Sequence, residues 1–149
     1  IFSYTILTNF SANSNTISVT TPADPSTADY RTAASGNYSS ASTWEYSNGD
    51  GTYPAASAAP TSGSNATIQS GHTIVFDNNF SIGTGKTVTV NGTLSFGTNV
   101  LSGLGSLVVN SGGLIQVGSL SGSGALAGNI TTSGGITINT GSTVEFNGA

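Results

Sequence analysis

Cysteine is missing from all 149 positions, so the chain holds neither a disulfide framework nor a thiolate metal site. Charge is nearly as scarce, with two basic residues against six acidic ones. That excludes nucleic acid as a partner, because phosphate recognition needs clustered Lys and Arg to displace counterions. No apolar run approaches the length of about 18 residues that a helical membrane span requires. The first residue is Ile1 instead of Met, and no charged leader precedes an apolar stretch. The expectation is a processed or trimmed chain, in keeping with secretion to an extracellular or cell-surface location.

Glycine (21 residues), Ser, Thr and Asn dominate instead, and the 36% of apolar residues are arranged with period two. Such alternation predicts order, not disorder. The length suits one domain able to bury a core without staples.

One phrase recurs between residues 85 and 147: GKTVTVN (85–91), GSLVVN (105–110), GALAGN (124–129) and GSTVEFN (141–147). Its closing residues Asn91, Asn110, Asn129 and Asn147 are 19, 19 and 18 positions apart. A period near 20 with alternating apolar residues predicts an all-β chain, a parallel β-solenoid (β-helix) of about four coils. Strand side chains switch face at every step, so Val88/Val90, Leu107/Val109 and Val144/Phe146 are expected inward, with Leu126/Gly128 as the weak copy. A second side is expected from Leu94/Phe96, Ile115/Val117 and Ile136/Ile138, and a third from Ile82, Leu101, Leu120 and Ile138. Ile138 falls in both series, which leaves the register of the fourth coil open. Stacked about 4.8 Å apart, the four asparagines would form an internal amide ladder.

Residues 1–20 read as two strands, with Phe2, Tyr4 and Ile6 on one face, and residues 21–29 as a Pro-containing linker. Two readings of these strands stand: a cap over the first coil of the same molecule, or a donor strand for another subunit. Residues 30–64 hold the only Trp and four of the five Tyr among Gly, Ser and Pro. They are expected to form an aromatic, loop-rich cap over the open end of the coils that occupy 65–149. Within it Trp44, Tyr46 and Tyr53 are candidate glycan contacts. The closing copy GSTVEFNGA is read as the start of a fifth coil, with Val144 and Phe146 exposed for assembly.

YRTAASGNYSSASTW (30–44), Pro60, NATIQSGHTIVF (65–76) and GKTVTVNGTLSF (85–96) together resemble the β-helix modules of secreted surface proteins from gliding bacteria. The same segments are similar to the eight-glycine domain of extracellular proteins, in which a Trp, a Pro and a V-x-I-x-x-G-H-x-V run open a β-helical fold. The resemblance covers residues 30 to about 97 and departs after Gly97, where the coils become simpler. It implies an extracellular location and a structural or binding role, and it carries over no catalytic residue.

Carbohydrate-active solenoids use paired carboxylates on one outward face. Inside the coils only Asp77, Lys86 and Glu145 are charged, and no two stand one period apart, so an enzyme is not expected. Asn48-Gly49-Asp50-Gly51 and Asp77-Asn78-Asn79 offer oxygens to Ca²⁺ but too few carboxylates, and they read as Asx turns; no metal or cofactor is expected. His72 reads as a turn residue beside the asparagine series. The leading expectation is a subunit of a head-to-tail surface filament, with self as partner. The alternative is the N-terminal module of a larger adhesin that binds surface glycans.

Overall fold

The computed structural model describes residues 27–118 and 125–147, so the expected strand of Phe2, Tyr4 and Ile6, and Leu120, lie outside the described residues. The described chain is all-β with one short α-helix, and every strand pair but one is parallel.

The first sheet contains β1 (Tyr30–Thr32), β3 (Trp44–Tyr46), β4 (Ala66–Ile68), β7 (Thr87–Val90), β10 (Ser106–Val109) and β12 (Ile136–Ile138). Its order is β12-β10-β7-β4-β1-β3, antiparallel only between β1 and β3. The second sheet joins β2 (Gly36–Asn37), β5 (Thr73–Val75), β8 (Thr93–Ser95), β11 (Leu114–Val117) and β13 (Thr143–Phe146) in the order β13-β11-β8-β5-β2. A third, two-stranded sheet pairs β6 (Phe80–Ile82) with β9 (Leu101–Gly103), and a parallel bridge extends it from Leu101 to Ile130. From β4 to β11 the chain passes through the first, second and third sheets in turn, and β7 to β11 each pair in parallel with the preceding strand of their own sheet.

Alternation decides what is buried. In the first sheet Ala66, Val88 and Leu107 align in one column, and Ile68, Val90 and Val109 in the next; all six are fully buried. Ile74, Leu94 and Ile115 form the matching column of the second sheet, again fully buried. Each such side chain contributes about 1.5–3 kcal/mol relative to exposure. Outward neighbours such as Thr67, Thr89 and Ser95 stay half-exposed and polar.

Three expectations need correction. The third side aligns Phe80 with Leu101, and Gly103, not a large residue, stands opposite Ile82. Backbone crowding explains it, because a Cβ on Gly103 would lie 2.2 Å from the Ile82 carbonyl oxygen, and Gly103 has φ +103°. GALAGN is no strand: Ala125–Asn129 is the helix α1. Ile136/Ile138 belong to the first sheet, against Leu107 and Val109, and Val144/Phe146 to the second, against Ile115 and Val117. The two last strands therefore exchange the sides expected from the repeat. Within residues 30–64, β1 and β2 are members of the two main sheets.

Aromatic rings fill the interior at the β1 end. Trp44 is 1% exposed, its indole N–H donates to the Tyr38 carbonyl at 2.8 Å, and its ring stands edge-on to Tyr38 and Tyr30. Tyr38 continues to Phe76, and Phe76 to Phe96, with ring centroids 4.7 and 5.1 Å apart. The Tyr38 hydroxyl has no hydrogen-bond partner in this cluster, and burial pushes its pKa well above the ordinary phenol value.

Candidate functional site

Two regions carry features that the core does not require. The first is the end formed by β12 and β13. Each has a single strand partner among the described residues. Their inward residues occupy the same columns as fully buried ones, yet Ile136 is 39% exposed, Ile138 40% and Phe146 58%, and Val144 is half-buried. An apolar interior thus continues to an exposed surface with two strand edges that have no partner among the described residues, a combination that natural sheets usually block.

An asparagine ladder runs past the C-terminal ends of β7, β10 and β12. Asn110 Nδ2 donates to Asn91 Oδ1 at 2.8 Å, over a separation of 19 residues. Asn139 Nδ2 then donates to Asn110 Oδ1 at 3.0 Å, over 29 residues. The expected members Asn129 and Asn147 are not in it. Asn129 is buried on α1 and its amide donates to the carbonyls of Gly97 and Asn99 at 3.0 and 2.7 Å, because the chain takes 29 residues from Asn110 to Asn139 against 19 from Asn91 to Asn110. Asn147 follows β13 and donates its backbone N–H to Val117. Asn91, Asn110 and Asn139 share one backbone role, each donating its N–H to the last residue of the strand below, Ile68, Val90 and Val109. Sequence reasoning missed Asn139, although Asn139-Thr140-Gly141 repeats the pattern of Asn110-Ser111-Gly112.

The second region is a groove of about 840 Å³ on the outer face of β1, β4 and β7, walled by the loop that carries Tyr53. Arg31 pairs with Glu45 through Nε, and its guanidinium lies 3.5 Å from the centroid of the Tyr53 ring. Asp29 accepts from the Asn65 amide at 2.8 Å at the groove margin. Of the three aromatic residues proposed for glycan contact, only Tyr53 lines this groove. Trp44 is withdrawn from that role, because it is sealed in the core with its N–H already bonded. Tyr46 is half-buried, its ring 6.2 Å from Tyr30.

The candidate cation segments are occupied by the fold itself. Asp50 accepts from the Thr52 hydroxyl and backbone N–H, which hold its pKa below the ordinary value. Asp77 accepts from the Ser39 hydroxyl and N–H, with the same effect, and Asn79 accepts from the Val100 N–H at 2.9 Å. No group of three or more His, Asp or Glu gathers among the described residues. His72 sits at a turn with Nδ1 2.7 Å from the buried Thr32 hydroxyl, which also accepts from the Gln69 N–H. No helix among the described residues is long and apolar enough to cross a membrane.

No family matches this chain, and neither does any curated protein or solved structure.

Proposed function

We propose that the chain is an extracellular structural protein without enzymatic activity, a parallel β-solenoid that joins head to tail into a surface filament. In this reading the three sheets are the walls of one winding of about four coils, and the strands of residues 1–20 act in trans. The carrying observation is the end at β12 and β13, where Ile136, Ile138 and Phe146 continue buried columns at 39–58% exposure. The occupant is the segment of Phe2, Tyr4 and Ile6 from the next copy, whose alternation suits pairing with an open edge. A contact of this kind is heterologous, so it propagates into an open fibre and does not close into a dimer. The other end is less suited to receive a strand, since β3 crosses it antiparallel and Trp44 seals the core beneath.

The test is negative-stain electron microscopy of three proteins: the unaltered chain, the chain without residues 1–20, and Ile138→Lys. Fibres from the first and none from the other two are expected. Fibres of unchanged length and number after removal of residues 1–20 would reject the donor strand, and fibres from Ile138→Lys would reject the open end as the acceptor.

A further inference from the structure

The geometry points to a saccharide-binding site in the groove on the outer face of the first sheet, with an uncharged, hydroxyl-rich glycan as ligand. This inference is independent of filament formation, because the groove belongs to β1, β4 and β7 and not to the open end.

The floor is built by strand register. Arg31, Thr67 and Thr89 are aligned partners on three adjacent strands, and Thr87 stands two residues from Thr89 on the same face. The hydroxyls of Thr67, Thr87 and Thr89 bond to no described residue, so each is available as donor and acceptor. Adjacent strands repeat these groups about every 4.8 Å, which gives a row of polar contacts for a ligand that is itself a chain of similar units.

Two groups at the edges are fixed before any ligand arrives. Arg31 is held by Glu45 through Nε and by the Tyr53 ring face, and its two terminal nitrogens have no partner among the described residues. Little rotamer entropy remains to be lost when those nitrogens donate. Asn91 is the last member of the amide ladder. Its Oδ1 is taken by Asn110, while its Nδ2 bonds to no described residue, and Asn91 lines the groove. Because Asn139 and Asn110 donate in the same direction along that ladder, the chain of amides polarises the terminal N–H.

Charge selects among polar ligands. Arg31 is neutralised by Glu45, and Asp29 adds a further negative charge at the groove margin, on a protein of net charge −4. A polyanionic chain would meet this negative balance along its length, and a cationic one would find in the groove a single carboxylate, Asp29, that already accepts from the Asn65 amide. A neutral glycan meets donors from Arg31 and Asn91, two-way hydroxyls from the threonines, and the apolar edge of Tyr53.

Isothermal titration calorimetry with cellohexaose, laminarihexaose and mannohexaose, and with an alginate hexasaccharide as the acidic probe, tests the assignment. Saturable binding of at least one neutral hexasaccharide is expected, weakened about tenfold by Tyr53→Ala, as for loss of a central aromatic contact. Thr89→Val keeps the strand and removes one hydroxyl, and a loss of about threefold to tenfold is expected. Urea midpoints close to that of the parent keep a loss of binding distinct from a loss of fold. The inference is overturned if none of the neutral probes binds, if alginate binds more tightly, or if both variants bind as the parent does.

Discussion

Replacing Asn110 by Ala removes the middle of the amide ladder and discriminates the observed register from the one that the 19-residue period suggests. The side chain makes two bonds, donating to Asn91 at 2.8 Å and accepting from Asn139 at 3.0 Å. Its backbone bonds to Val90 and Gly113 survive in alanine, so the perturbation is confined to the amide. A neutral hydrogen bond contributes a net of about 0.5–1.5 kcal/mol, so two sum to about 1–3 kcal/mol. Asn139 is exposed and water replaces its partner readily, which places the expected loss near the middle of that range, about 2 kcal/mol. Urea unfolding followed by the fluorescence of the buried Trp44 reads it as a shift in midpoint at constant slope. The decisive comparison is a pair of double-mutant cycles. Asn110→Ala with Asn139→Ala should couple by about 0.5 kcal/mol or more, whereas Asn110→Ala with Asn129→Ala should be additive within about 0.5 kcal/mol. Coupling of Asn110 to Asn129 and none to Asn139 would refute the register argued above.

Leu107 and Ile136 share one column, but only Leu107 is fully buried. Leu107→Ala should therefore cost about 2–5 kcal/mol in urea, and Ile136→Ala less than half of that in the dispersed protein. Asp77 has its pKa held below the ordinary 3.8, first by the Ser39 hydroxyl, so its bonds add stability that is complete above the ordinary carboxylate range and is lost as pH falls through the lowered value. Carboxyl NMR titration should place Asp77 higher in Ser39→Ala than in the parent, and the urea midpoints of the two proteins should converge on acidification; an unmoved Asp77 titration would reject the Ser39 bond as its cause.

The core was legible wherever β-branched or large apolar residues alternate on a strand with one polar face. Val88/Val90, Leu107/Val109, Leu94/Phe96 and Ile115/Val117 are all no more than 1% exposed. Alternation is a local property, and a burial pattern follows from it without knowledge of the partner strand. The fourth pass was misread for an equally local reason. GALAGN keeps the Gly, Leu and Asn spacing of the phrase but carries no β-branched residue, and Ala and Leu favour helix. Residues 125–129 accordingly form α1. The stronger marker was the turn after the asparagine. Gly112 and Gly141 have φ of +81° and +85°, a conformation that suits glycine, and matching these two turns aligns Asn110 with Asn139. Trp44 was misplaced because composition alone does not separate a ring that seals a core from one that lines a surface. Arg31, Thr67 and Thr89 left no signature at all, since their proximity is created by parallel register across three strands and not by spacing along the chain.

Direction along the stack ties the two proposals together. Each ladder amide donates toward β1, so Asn91 ends the ladder with an unused donor while Asn139 leaves its Oδ1 without a described partner at the opposite end. Two open ends brought face to face would oppose acceptor to acceptor, which disfavours a symmetric pair and favours addition of a segment that brings its own donors. The amide at the other terminus belongs to Asn91, which lines the groove together with Arg31 and Tyr53. Polymerisation through β12 and β13 would therefore leave every groove uncovered and repeat it along the fibre. Such spacing raises the avidity for a long glycan by the effective concentration of neighbouring sites, so a contact weak in one copy becomes strong in a filament without any change in the groove. Glycan affinity that rises with fibre length in the parent, and not in the chain lacking residues 1–20, is the behaviour that this arrangement requires.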